Sequence, residues 1–378
     1  MRVYLDHNAT TPVHPAVADA MAEVLRGCFG NPSSTHADGA EARARVERAR
    51  EQVANLVSAR PDEIIFTAGA TEANNAVLHG VLGEGLPGSR LVTSAIEHPS
   101  VEEPAHLLEE RGCEVTRLPV DSEGRVAVEA LIEALSTPAS LLSVIWANNE
   151  TGVIQSVEAL AAAAAECGVP SHFDATQAVG KIPVDFSRVT ADWLSASAHK
   201  FNGPKGVGFL VAREGRDLPP HVRGGPQERR RRGGTENLPG IVGLGLACEI
   251  AGREMAEKQR QHARLRDRLW AGICEKVRGV RRNGPADDVL PGTLNVEFEA
   301  TAGEVLLEAL DLEGISVSVG AACHSGSVEP SHVLTAMGRT TEQARGSLRL
   351  SVGLGVDDAQ IDRVLSVLPD LVERVRGA

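Results

Sequence analysis

The sequence predicts an α/β protein, a mostly parallel sheet covered by helices, followed by a smaller α+β lobe. Three observations point there. Strand-like and helix-like runs alternate through the first two-thirds of the chain. Polar side chains of chemical interest stand at the ends of successive strand-like runs. The 378 residues exceed what one core usually supports, so one large and one smaller unit are expected.

The elements follow in order. Residues 63–67 lead through Ala68-Gly69-Ala70 into a helical pattern from Thr71. The run 90–94 ends at Ile96-Glu97-His98-Pro99, and 141–146 ends at Asn148-Asn149-Glu150. The run 169–173 ends at Asp174-Ala175-Thr176-Gln177, and 192–197 ends at Lys200. Residues 206–212 follow too closely for a parallel crossover, so this strand is expected to lie antiparallel to its predecessor. Residues 253–270 read as a long amphipathic helix, with Glu254 and Glu257 on its solvated side, linking the large unit to the C-terminal lobe. In that lobe Ser347, Arg349 and Ser351 alternate with apolar residues along a strand.

Composition narrows the class. A net charge of −13 argues against bulk attraction to nucleic acid or an anionic membrane, and Arg229-Arg230-Arg231-Arg232 is too short to reverse it. No apolar run is long enough to span a bilayer, and the N-terminus lacks the layout of a secretion signal, so a cytoplasmic protein is expected. Six scattered cysteines have neither zinc spacing nor a dense disulfide pattern, so free thiols and no resident metal are expected. Cys113, Cys167, Cys248 and Cys274 read as buried small hydrophobes.

Open α/β sheets bind ligands outside the C-terminal edge of their strands, where His98, Asn149, Asp174 and Lys200 all fall. Each has two readings. Lys200 is a surface residue beside a Gly-Pro turn, or an amine that burial deprotonates and that forms an imine with an aldehyde. Asp174 is a helix cap or the partner of a pyridine nitrogen. Gln177 is an ordinary first-turn residue or a donor to a ring phenolate. His98 is structural or stacks on a ring, and Asn149 is a turn former or bonds the ring oxygen. Gly69-Ala70-Thr71-Glu72 is a capping signal or a phosphate cradle at a helix start, which Ser197 and His199 would complete. Taken together and in this order, they point to pyridoxal phosphate. Cys323 sits among small residues, Gly320 to Ser327, which leave it accessible: an idle loop thiol or a reactive one. Arg349 is solvated, or is a fork for a carboxylate.

The motifs now carry a resemblance. They are Val3-Tyr4-Leu5-Asp6-His7-Asn8-Ala9-Thr10-Thr11-Pro12, Gly30-Asn31-Pro32-Ser33-Ser34, Gly69-Ala70-Thr71-Glu72-Ala73-Asn74, Asn148-Asn149-Glu150-Thr151-Gly152, Asp174-Ala175-Thr176-Gln177 and His199-Lys200-Phe201-Asn202-Gly203-Pro204-Lys205-Gly206. They resemble the class V, fold-type I pyridoxal-phosphate enzymes. Within these the chain is most similar to the cysteine desulfurases of the nitrogen-fixation and iron–sulfur-cluster type, from Tyr4 to Val352.

The resemblance implies a fold-type I transferase with a mostly parallel seven-stranded sheet sandwiched by helices. It implies a large cofactor domain over 16–252 and a small domain from 1–15 and 253–378 carrying the catalytic-cysteine loop. Lys200, Cys323 and His98 would be catalytic, with Lys200 carrying the cofactor, Asp174 at the pyridine nitrogen and His98 stacked on the ring. Ala70, Thr71, Asn149, Gln177, Ser197, Ala198 and His199 match the other cofactor contacts. Thr235, in Gly233-Gly234-Thr235-Glu236-Asn237, would reach the phosphate in a neighbouring subunit, which implies a homodimer. Arg349 would bind the carboxylate of L-cysteine, assisted by Asn31 and Asn149. Cys323 would take the substrate sulfur as a persulfide, release alanine and pass the sulfur to an iron–sulfur scaffold or sulfur-carrier protein. In that setting Cys323 could also ligate a nascent cluster transiently.

Three rivals remain at this point. Ser318 to Ser325 also resembles the selenocysteine lyases; an aminotransferase has no need of a loop cysteine; and a scaffold without catalysis would only bind partners. Two residues depart from the family pattern: Pro226, where a third glycine is usual, and Asn202, where an aromatic residue or histidine is commoner.

Overall fold

The computed structural model describes residues 2–83, 88–320 and 329–377. In chain order its strands are β1 (Val3–Tyr4), β2 (Ile64–Thr67), β3 (Arg90–Ser94), β4 (Glu114–Leu118), β5 (Leu141–Ile145), β6 (Ser171–Asp174), β7 (Trp193–Ser197), β8 (Gly208–Ala212), β9 (Val280–Asn283), β10 (Thr293–Phe298), β11 (Ile315–Ser316) and β12 (Ser347–Ser351).

Seven of them form the main sheet in the order β2-β8-β7-β6-β5-β3-β4. Neighbours from β7 through to β4 run parallel, and β8 lies antiparallel to both β7 and β2. The predicted antiparallel return after Lys200 is therefore present. β3, β5, β6 and β7 are buried at every residue, although β5, Leu-Leu-Ser-Val-Ile, is the most apolar of them; polar residues such as Ser143, His172 and Ser195 bond one another across the sheet. β4 had no counterpart in the sequence reading: it is a sheet edge of mixed polarity, Glu-Val-Thr-Arg-Leu, with its first residue exposed.

Helices cover both faces. On one, Val144, Phe173 and Leu194 pack with Val46, Val53 and Leu244 in the largest apolar cluster. On the other, Ile65, Leu91, Leu141 and Trp193 pack with Val77 and Leu78 of the helix Ala70–Leu82 and with Val101 and Leu108 of the helix Pro99–Glu110. A separate cluster holds Leu294, Val296, Leu348, Leu350, Ile361 and Leu368 together with Val3 and Leu5. Its sheet is antiparallel, in the order β12-β10-β9, and β1 pairs in parallel with β11. The first residues of the chain are thus built into the C-terminal lobe.

A single helix, Leu238–Lys276, runs from one lobe into the other. It starts 15 residues before the amphipathic pattern predicted at Arg253. The Asn237 side chain accepts from Gly240 N at 3.2 Å, and Pro239 occupies the first turn, where its missing N–H costs nothing. The early turns are buried on most sides and carry no polar stripe. A methyl group at Gly245 would lie 2.7 Å from the Ala49 Cα, so glycine there lets the helix Ala37–Val57 approach closely.

Two cysteine expectations need correction. Cys28, Cys113 and Cys248 are buried, but Cys167 and Cys274 are exposed. Cys167 caps the C-terminus of the helix Val157–Glu166, and Cys274 lies on an open face of the long helix. Cys323 lies outside the described residues. Among the described residues no helix is long and apolar enough to cross a membrane.

Candidate active site

The strand order reverses between β3 and β5, and the loops after these two strands carry His98 and Asn149. A cavity of about 500 Å³ opens there, lined by Ala70, Thr71, His98, Asn149, Asp174, Gln177, Ser197, His199 and Lys200 among others. The structure brings these nine predicted residues together from five separate stretches of chain. Ala198 is fully buried in the turn before Lys200 and is not among the lining residues. Asn31 is exposed and outside the cavity, its Oδ1 accepting from Ser33 N at 2.9 Å. Thr235 is also exposed and does not line it.

Asp174 ends β6 only 3% exposed. Its Oδ1 accepts from Thr176 N at 3.0 Å and its Oδ2 from Asn74 Nδ2 at 2.8 Å. A carboxylate has about four acceptor positions, so capacity remains for a ring N–H. Asn74, whose amide also donates to Ser100 Oγ at 2.8 Å, fixes the carboxylate from behind.

His98 caps the helix Pro99–Glu110. Its Nδ1 accepts from Ser100 N at 3.0 Å, which leaves the proton of the neutral ring on Nε2. Burial lowers its pKa; the charges of Lys200, His332 and Arg349 add to this, while Asp174 opposes it.

The helix Ala70–Leu82 points its N-terminus at the cavity, where free backbone N–H groups and the helix dipole suit an anion. β8 lies directly beneath: a methyl group at Gly208 would sit 2.8 Å from the Gly69 Cα. Glu72 Oε2 accepts from Ala68 N at 3.0 Å and steadies the turn.

Lys200 Nζ donates to the carbonyls of Asn8 and Ala9, both at 2.8 Å. Burial and, next, the Arg349 charge bring its pKa down to about 8, with Asp174 and Asp6 opposing. The neighbouring His199 ring meets Thr10 Oγ1 at 3.2 Å; burial, then the Lys200 charge, take its pKa down to about 4. Asn202 at the end of this turn has φ +68°, a left-handed conformation that asparagine tolerates, and its Nδ2 donates to Pro12 O at 2.9 Å. The departure at that position is accommodated.

Gln177 is held on its far side. Its Nε2 donates to Asn8 O at 2.9 Å, and its Oε1 accepts from Lys181 Nζ. Arg349, 5% exposed, approaches from β12: Nη2 donates to Asp6 Oδ1 at 2.7 Å and Nη1 to Asn149 O at 3.1 Å. Its Nε is buried without a partner among the described residues.

The residues flanking 321–328 are anchored beside Asn149. Ser331 Oγ donates to Glu150 Oε2 at 2.5 Å, and the Gly320 Cα abuts the same carboxyl so closely that a methyl group there would lie 2.2 Å from it. His332 Nε2 meets Glu97 O at 2.9 Å.

Sequence reasoning missed Asn8, Asn74, Lys181 and Glu150 as parts of this site. Asn8, Asn74 and Glu150 stood in the quoted motifs, but only the fold shows what they touch. For Lys181 the sequence holds no signal.

Fold and site together define a fold-type I enzyme of the pyridoxal-phosphate class. The model of the family described as Aminotransferase class-V matches residues 3–364. The chain is 44% identical over 375 residues to the cysteine desulfurase IscS of Dictyoglomus turgidum, spanning 99% of this chain and 95% of that one. It is 46% identical over 376 residues to a cysteine desulfurase of Gluconacetobacter diazotrophicus, spanning 99% and 94%. A solved structure described as a NifS-like protein superposes with a TM-score of 0.93 at 37% identity, covering 99% of this chain and 100% of that one. SspA in complex with cysteine superposes with a TM-score of 0.82 at 34% identity, covering 93% and 99%. The chain belongs to the class-V aminotransferase family, in its branch of pyridoxal-phosphate-dependent cysteine desulfurases.

Proposed function

We propose that the protein converts L-cysteine to L-alanine and carries the sulfur away as a persulfide on Cys323. The observation that carries this reading is the convergence of Lys200 Nζ, the Asp174 carboxylate and an open helix N-terminus on one cavity, beside a buried Arg349 whose Nε lacks a partner among the described residues.

When bound at Lys200, pyridoxal phosphate supplies an electron sink for the bond that breaks at the substrate Cα. The residues present fit it. Asp174 offers a negative charge and spare acceptor capacity to a ring nitrogen, neutral His98 offers a flat face, and the helix start at Ala70 and Thr71, with Ser197 and His199, offers donors to a phosphate. Asn149 and Gln177, which also line the cavity, would bond a ring oxygen. Lys200, with a pKa near 8, has an amine basic enough to take the Cα proton and acidic enough to return it. Arg349 binds the α-carboxylate with Asn149 assisting, and Asn31, which lies outside its own chain's cavity, would assist from a neighbouring subunit. The Cys323 thiolate attacks the substrate Sγ: the new S–S bond forms as the Cβ–S bond breaks. That electron pair stays with the three-carbon fragment, which leaves as alanine after protonation.

The reading extends to a homodimer in the cytoplasm, with Thr235 of each subunit serving the other's phosphate. An iron–sulfur scaffold or a sulfur-carrier protein would receive the persulfide. It also keeps the division into 16–252 and the pair 1–15 with 253–378, supported by the separate apolar clusters. The test adds L-cysteine to the wild type and to Cys323→Ala and measures alanine and protein-bound persulfide. Both should come from the wild type, and persulfide should be absent from the variant; a wild type that makes no alanine ends the proposal. Release of selenium from L-selenocysteine that survives in Cys323→Ala would mark a selenocysteine lyase instead.

A further inference from the structure

Behind Gln177 lies a second lysine that the reaction scheme leaves unused. Lys181 Nζ donates to Asn8 Oδ1 at 3.1 Å and to Gln177 Oε1. Gln177 Nε2 in turn donates to the backbone oxygen of Asn8 at 2.9 Å, and that same oxygen receives Lys200 Nζ at 2.8 Å. Two lysines and one carboxamide therefore meet on a single asparagine.

The chemistry of these groups fixes an orientation. An ammonium has donors and no acceptor, and a deprotonated amine still has two N–H groups, one for each of the two oxygens. Oε1 of Gln177 is thereby engaged away from the cavity, and one amide hydrogen is used on Asn8. The remaining amide N–H is the group Gln177 has left for the cavity it lines. Without Lys181 only the bond to Asn8 O would hold the amide this way round; turned over, it would present oxygen, which repels an anionic oxygen where N–H attracts it. The space on the far side, walled by His7, Lys258 and His262 among others, is small, about 50 Å³.

We infer that Lys181 is a positioning residue: by pinning Gln177 Oε1 and Asn8 Oδ1 it makes the Gln177 side of the cavity a hydrogen-bond donor, matched to the ring oxygen of pyridoxal phosphate. The inference rests on the cofactor reading above. Lys181 touches no reacting atom and acts through Gln177. Burial, with the charges of Lys200 and Arg349, pushes its pKa well below the ordinary lysine value. Methionine, of similar length and uncharged, therefore suits the site sterically, and Lys181→Met is expected to fold.

The test compares two ligands on the full-length apoprotein by fluorescence titration: pyridoxal phosphate, and 3-deoxypyridoxal phosphate, in which hydrogen replaces the ring hydroxyl. Lys181→Met should bind pyridoxal phosphate roughly ten- to a hundredfold more weakly, the scale of one hydrogen bond to a charged group. Its affinity for the deoxy analogue should match that of the wild type. Lys181→Arg, which keeps the donors, should recover most of the loss, and in a Gln177→Leu background Lys181→Met should add nothing. Equal losses for both ligands would reduce Lys181 to a structural role and overturn the inference, as would no loss for either. A wild type that binds neither ligand would overturn the cofactor reading, and this inference with it.

Discussion

Burial and, next, the Arg349 charge bring the Lys200 pKa down to about 8, against the opposing charges of Asp174 and Asp6; the hydrogen-bond acceptors its amine reaches among the described residues are the neutral carbonyls of Asn8 and Ala9. The sign follows directly: only the neutral amine attacks an aldehyde, and its fraction falls about tenfold for each pH unit below the pKa. Capture of pyridoxal phosphate by the apoprotein, followed by stopped-flow absorbance, should therefore speed up about tenfold per unit on the way to pH 8 and level off above it. A plateau reached only beyond pH 10 would show an ordinary lysine. Because the Arg349 charge is the second cause of the shift, Arg349→Gln should move the midpoint upward. The same variant should raise KM for L-cysteine, through loss of the carboxylate fork. An unmoved midpoint would leave burial as the whole cause.

At the scale of elements, the cavity depends on how closely β8 approaches the helix Ala70–Leu82. A methyl group at Gly208 would lie 2.5 Å from the Ala196 carbonyl oxygen of β7 and 2.8 Å from the Gly69 Cα. Gly208→Ala must therefore push β8 away from the helix start proposed to cradle the phosphate. It should lower stability by about 1–3 kcal/mol in urea unfolding, and should weaken binding of pyridoxal phosphate as well. Unchanged values for both would mean that the backbone there yields freely. The elements that were legible in the sequence are those whose chemistry is local. β3, β5, β6 and β7 were found as short strand-like runs between turn and helix signals, and His98, Asn149, Asp174 and Lys200 could be placed because each ends or closely follows its strand. β4 was hidden by its mixed-polarity edge, and residues 238–252 by the absence of a polar stripe on a buried helix. Asp6, Asn8 and Lys181 could not be placed, because their partners are brought to them only when the N-terminal segment folds across the lysine turn. Asn31 and Thr235 raise a different problem: they lie away from the cavity of their own chain.

For the whole molecule, the segment bearing Thr235 leaves that residue exposed at the surface of its own chain. Glu228, Arg229 and Arg230 have φ of +45°, +57° and +68°, a conformation that costs on the order of 1 kcal/mol per residue without glycine. That cost is borne because Glu228 is buried against Arg50, with both carboxylate oxygens accepting at 2.9 Å, while Arg232 donates to Glu72 at 3.0 Å. The basic run after Pro226 is therefore an anchor on its own chain at Glu228 and Arg232, and Thr235 is left exposed three residues beyond. If Thr235 serves the neighbouring subunit, two damaged chains should repair each other. A dimer is assembled from one Lys200→Ala chain and one Thr235→Ala chain, and is assayed at limiting pyridoxal phosphate. Its first site lacks the lysine. Its second combines the intact Lys200 of one chain with the intact Thr235 of the other and should work fully, giving about half the wild-type activity per dimer by count of intact sites. If Thr235 serves its own chain, that second site pairs Lys200 with the alanine, and the mixed dimer should do no better than half of the Thr235→Ala homodimer. Alanine formation in purified mixed dimers carrying two different affinity tags distinguishes the two cases.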